Sequence, residues 1–101
     1  MTEKPLVWLG SSHDDVRAFP SEARRKVGHQ LHRVQVGLMP HDWKAMSGVG
    51  HGVFELRVRT GVDHRVFYVA KFPEAVYVLH AFEKRSRKTR PHDIAVARER
   101  I

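Results

Sequence analysis

The sequence has no cysteine, which excludes disulfides, a thiolate metal site and a thiol nucleophile. The same absence suits a reducing compartment, so a cytoplasmic location is expected. No apolar run approaches the roughly 18 residues that a membrane-spanning helix needs, and no membrane association is expected. The opening residues, MTEKPLVWLGSS, lack the charged-then-apolar pattern of a secretory signal. There is no HExxH pair, glycine-rich phosphate loop, Ser–His–Asp order or paired-carboxylate pattern. Metalloprotease, ATPase and carboxylate-driven hydrolase readings therefore have no support, and no metal or other cofactor is expected.

What the chain does have is positive charge. Eighteen Lys and Arg face eleven Asp and Glu, a formal net charge of +7. A small domain with this balance calls for an acidic partner, nucleic acid first among them. A soluble protein that merely happens to be basic is the plainer alternative. The length of 101 residues and the hydrophobic fraction of 42% are those of one globular domain, residues 1–101, with a single core.

Two periodicities organise the sequence. Leu6 to Leu9 is a short β-prone run that stops at GSS. A short helix from Asp14 to Ala18 follows, with two aspartates in its first turn where the helix dipole favours anions. From Pro20 the apolar positions Ala23, Val27, Leu31, Val34 and Leu38 recur at helical spacing, which predicts a long helix. Arg24, Arg25, Lys26, His29, His32 and Arg33 fall off this stripe, so the outer face is basic. MPHDWKAMSGVGHG reads as a turn-rich connector. The period then changes to two: Phe54, Leu56 and Val58 alternate with Glu55, Arg57 and Arg59. HRVFYVAKF and AVYVLHAF, apolar on both faces, read as central strands covered on each side, and PHDIAVARERI reads as a closing helix with Ile94, Ala97 and Ile101 inward. The expected fold is α+β: an N-terminal strand and helical hairpin packed on a small antiparallel β-sheet, with a short C-terminal helix.

The strands also distribute cations. Arg57 and Arg59 share the face opposite the apolar residues of their strand, and Arg65 and Lys71 lie on one face of the next. The third strand runs into a basic cluster in which five of the seven residues from Lys84 to Arg90 are Lys or Arg. Cations converging at strand ends suit phosphate, because guanidinium forks bind its oxygens in pairs and lysine supplies a point charge or an acid. Solvated surface charge is the ordinary reading of such residues, and it fits Arg59 at its turn. Arg65, flanked by apolar residues, is the better functional candidate, since an unpaired buried guanidinium is costly. Among the histidines, His13, His41, His51 and His64 fall in loops or turns and read as solvated. His80 reads as a hydrogen-bonded core residue. His92, just past the basic cluster, is a possible proton-transfer group.

PLVWLGSSHDDVRAFPSEARRKVGHQLHRVQVG, GVFELRV, HRVFYVAKFPEAVYVLHAFEKRSRKT and IAVARERI together resemble the RelE/HigB toxins of type II toxin–antitoxin systems, in the branch described as phage-derived. The resemblance spans nearly the whole chain and is most specific from Arg65 to Thr89. It implies a ribosome-dependent, metal-independent endoribonuclease that cleaves mRNA, with a cognate antitoxin of helix-turn-helix type as partner. In such chemistry the 2′-hydroxyl of the RNA attacks the adjacent phosphate, and the protein orients, neutralises charge and moves protons. By position, the resemblance assigns Arg65 and Arg85 as phosphate clamps, with Lys84 and Lys88 assisting, and the substitutes for the proton-transfer group are His92 beyond the strand and His80 on it. Arg57, Lys71, Arg87 and Lys88 would contact RNA. Val53 and Glu55 stand where some relatives carry lysines, and no tyrosine follows Tyr77. Two alternatives follow: a ParE-like or degenerate toxin that inhibits a protein target, and a plain basic nucleic-acid-binding module. The latter usually exposes stacking aromatics, whereas Phe67, Tyr68, Tyr77 and Phe82 read as core.

Overall fold

Residues 53–84 carry the β-branched and aromatic side chains that favour extended backbone. They form three consecutive antiparallel strands, β3 (Val53–Arg59), β4 (Asp63–Val69) and β5 (Val76–Lys84). The structure, a computed structural model, describes residues 3–101. Its other elements are β1 (Leu6–Trp8), α1 (Ser12–Arg17), α2 (Ser21–Gln35), β2 (Trp43–Ala45) and α3 (Pro91–Glu99). The sheet order is β1-β5-β4-β3-β2, with β1 parallel to β5 and every other pair antiparallel. This is the expected α+β class, with helices and a mostly antiparallel sheet.

The sheet is buried on both sides, as the apolar strands require. On one face Val16, Ala23, Val27, Leu31 and Val34 of the helices pack against Leu56, Val58, Val66, Tyr68, Val76, Val78 and Ala81. On the other, Val49, Val53, Phe67, Val69, Leu79, Phe82 and Ala97 form a second cluster under α3 and the segment before β3. Of the predicted stripe, Leu38 is the exception at 50% exposed, because α2 stops at Gln35 and Gly37 takes a positive φ of 90°. Ile101 is likewise exposed, two residues past the end of α3.

Three further features differ from the sequence reading. Residues Trp43–Ala45 of the supposed connector form an edge strand on β3, although all three side chains are exposed and leave no periodicity to read. His64 is not a solvated turn residue; it lies in β4, 1% exposed, with its ring 4.4 Å from that of Phe19. The third is a bulge. Phe67 pairs with His80 but Tyr68 pairs with Val78, so Leu79 is an extra residue in β5. Before it, Val76 and Val78 face the helices; after it, Ala81 does. The slip therefore turns His80, Phe82 and Lys84 onto the opposite face, beside the outward side chains of β3 and β4.

Gly28 sits mid-helix on the exposed side of α2, and a Cβ added there meets nothing within 4 Å. Gly28→Ala should stabilise the protein by about 0.5–1 kcal/mol, since glycine adds flexibility to the unfolded chain and no packing to the helix. Thermal denaturation followed by circular dichroism checks this.

Candidate functional site

Register fixes which cations meet. Arg57 lies opposite Arg65, Arg65 opposite Phe82, and Asp63 opposite Lys84. Side chains at such positions lie about 4.5–5.5 Å apart at Cβ on one face, so two arginines directly opposite would repel. Glu55 removes the conflict. Its Oε1 accepts from Arg65 Nη1 at 2.9 Å and from Arg57 Nε at 3.0 Å. Arg65 Nη2 also donates to Asp63 Oδ2 at 3.2 Å. Glu55 is 1% and Arg65 4% exposed. The Oε2 of Glu55 and the Nε of Arg65 are buried without a partner among the described residues.

Lys84 completes the cluster without a counterion: among the described residues no carboxylate lies within 4 Å of its ammonium. Burial lowers its pKa first, and the Arg65 charge lowers it next; Glu55 and Asp63 oppose the shift, and Arg57 adds to it. A half-buried lysine pressed by two arginines is a ready proton donor and a ready partner for an anion.

Behind it, His80 Nε2 lies 2.7 Å from Asp93 Oδ1, and Arg90 Nε donates to Asp93 Oδ2 at 3.1 Å. The His80 ring stacks on Phe82 at 5.3 Å between centroids. Asp93, 2% exposed, thus ties the strand, the end of the basic loop and the first turn of α3 together. This is the hydrogen-bonded core histidine expected from the sequence.

The structure brings together only part of the predicted set. Arg57, Arg65 and Lys84 share one face. Arg65 is not an open clamp, because both terminal nitrogens are committed to buried or half-buried carboxylates. Arg85 is not beside it; it is exposed, and its Nε donates to Glu83 Oε1 at 3.1 Å. Lys71 lies outside β4, six residues beyond Arg65 and so roughly 20 Å away along extended chain. Its Nζ meets the His51 carbonyl at 3.3 Å. Arg87, Lys88 and His92 are exposed on the loop and the first turn of α3. Sequence reasoning missed Glu55, Asp63 and Asp93. The signal for Glu55 was present, since it alternates in phase with Arg57 and a carboxylate between two strand arginines is a natural counterion.

Fold and site together define a small α+β protein with a cation-rich sheet face organised around a buried carboxylate. Residues 14–101 match the sequence profile of the phage-derived protein Gp49-like family, and the chain belongs to that family. The family is associated with the toxins of toxin–antitoxin systems. No curated protein matches the sequence. Among the described residues no helix is long and apolar enough to cross a membrane.

Proposed function

We propose that the chain is a toxin of the RelE/HigB type, an endoribonuclease that cleaves mRNA on the ribosome and is neutralised by a helix-turn-helix antitoxin. The observation that carries this reading is Lys84, a half-buried cation without a carboxylate partner, next to Arg57 and Arg65. An RNA phosphate supplies the missing negative charge. The RNA 2′-hydroxyl attacks the adjacent phosphorus, the bond to the 5′-oxygen breaks, and a 2′,3′-cyclic phosphate and a 5′-hydroxyl result. Arg57 and Lys84 neutralise the phosphate oxygens, and Lys84 passes its proton to the leaving 5′-oxygen. His92, an exposed imidazole at the end of the basic loop, takes the 2′-hydroxyl proton. Arg65 and Glu55 act as positioning residues that fix Arg57, while Arg85, Arg87 and Lys88 hold the strand on either side.

A second reading is a toxin that inhibits a protein target without cutting RNA. It is favoured by the commitment of Arg65 to Glu55 and Asp63, which it cannot leave for a phosphate without breaking a buried pair. Induction of the chain alone, with growth and mRNA 5′ ends followed by primer extension, separates the two. Growth arrest with new mRNA ends supports the nuclease, and arrest with intact mRNA supports the second reading.

Because Lys84 must be protonated to act as the acid, activity should fall as pH rises through its lowered pKa, below the ordinary lysine value of 10.5. Lys84→Arg should lose most activity, and the remainder should show no alkaline decline over the same range, since arginine does not deprotonate there. A pH–rate profile of both proteins checks this.

A further inference from the structure

A cleft of about 530 Å³ lies at the β3 edge of the sheet, two strands across from Lys84, which does not line it. It opens between the outer face of α2 and the edge of β3. Pairing with β2 covers Phe54 to Leu56 and the Arg57 N–H donates to the Asp42 carbonyl at 3.0 Å, so the β3 edge is without a strand partner only beyond Arg57. Arg25, Lys26 and His29 of α2 line one wall, and Arg57 and Arg59 line the other. Arg57 belongs to both sites, donating to Glu55 on the sheet face while lining this cleft.

The charge of the cleft is unbalanced. Its two carboxylates are already engaged: Glu22 lies 3.6 Å from Lys26, and Asp42 lies 3.9 Å from Arg57 and 4.0 Å from Arg59. Arg25 has no ion-pair partner among the described residues. The opposite rim is held in place by Gln30, whose Oε1 accepts from the His41 backbone at 2.7 Å and whose Nε2 meets His41 Nδ1 at 3.0 Å. Val58 is the one apolar side chain in the lining, so a protein partner finds no buried anchor there, the usual source of protein–protein affinity. An anion spread along a flexible chain is what suits such a surface.

We infer that this cleft is a second binding subsite, one that holds the phosphodiester backbone of single-stranded RNA on its way to or from the sheet face, with Arg57 as the shared contact. The inference rests on RNA being the substrate of that face. It assigns to the exposed cations of α2 a function beyond solvation, and it makes them determinants of RNA affinity rather than of the chemical step.

The test uses the full chain and a fluorescein-labelled single-stranded RNA carrying 2′-O-methyl groups, which removes the nucleophile and so prevents cleavage. Binding is followed by anisotropy across a salt series. Arg25→Glu with Lys26→Glu should weaken binding roughly ten-fold or more and reduce the salt slope by about 1.4, the value for two lost phosphate contacts on a single strand. Both positions are exposed on α2, and loss of the exposed Glu22–Lys26 pair costs the helix little, so the fold should be retained. Arg17→Glu with Arg24→Glu makes the same charge change outside the cleft and should alter affinity less than about two-fold. Equal weakening by the two pairs, or none by the cleft pair, overturns the inference. So does loss of binding to a polyglutamate peptide with RNA binding unchanged, which would assign the cleft to a protein partner. With cleavable mRNA on programmed ribosomes, the cleft pair should raise KM and leave single-turnover cutting at saturation unchanged. Lys84→Met should do the reverse. If nothing cuts but the cleft pair still binds RNA weakly, the nuclease reading fails while the subsite stands.

Discussion

Arg65→Ala should destabilise the protein by about 3–5 kcal/mol, because it leaves Glu55 as a buried carboxylate without its closest partner. For a chain of this size each kcal/mol lowers Tm by roughly 4–8 °C, so the melting point should fall by roughly 12–40 °C. The pair Glu55–Arg65 is short, at 2.9 Å, and both side chains are almost wholly removed from water. Arg57 remains beside Glu55 but is itself half-buried and shares the same oxygen, so it compensates only in part. Replacing both members with apolar side chains of similar size, Glu55→Leu with Arg65→Met, should recover much of the loss, since no buried charge is then stranded between those two positions. Thermal denaturation of the two single variants and the double variant closes the cycle. A single variant that melts within a few degrees of wild type would contradict a structural role for the pair. The consequence for function is direct: loss of toxicity in Arg65→Ala is uninformative about catalysis unless folding is measured alongside.

Lys84→Met should show the opposite pattern, with RNA cleavage reduced about 10²–10⁴-fold, the usual contribution of a positioned proton donor, and Tm unchanged or raised. The folded-state pKa of Lys84 lies below its unfolded value, so the fold disfavours the charged form. That penalty is fully present at pH values below the lowered pKa. It fades as pH rises towards the ordinary 10.5, where the unfolded chain also loses the proton. The stability gain from Lys84→Met should therefore be present at neutral pH and shrink on the alkaline side. A residue whose removal stabilises the protein while abolishing activity is retained for its chemistry. If Lys84→Met melts lower than wild type at neutral pH, the charge is structural and the site assignment fails.

Most of the fold was legible in the sequence because local pattern and burial agree. The stripe Ala23, Val27, Leu31, Val34 reads as helix and packs as one, and the alternation in residues 53–59 places Arg57 on the face where it is found. What was not legible arises from tertiary constraints. The bulge at Leu79 reverses the phase of β5, and nothing in YVLHAFEK announces it; an unbroken strand would have turned Lys84 towards the helices. β2 escapes notice because an exposed three-residue edge strand has no apolar alternation. His64 was misplaced for a related reason: a histidine beside a turn reads as solvated until Phe19 is known to cover it. The site was legible as a set of cations but not as an arrangement. Register brings Arg65 and Lys84 to the same end of the sheet, while Lys71, although in phase with Arg65, lies past the end of its strand. Glu55 looked like a departure from a basic pattern and proves to be the group around which the arginines are ordered.

The central claim is that the Arg57–Lys84 face promotes attack by the RNA's own 2′-hydroxyl. It is tested most directly by the chemistry of the product ends. Purified chain, programmed ribosomes and an end-labelled mRNA should yield fragments with a 2′,3′-cyclic phosphate and a 5′-hydroxyl, and a single 2′-deoxy substitution at the cut position should abolish that cut. Fragments with a 3′-hydroxyl and a 5′-phosphate, cutting that persists at the 2′-deoxy position, or intact mRNA under conditions where induction arrests growth would contradict it.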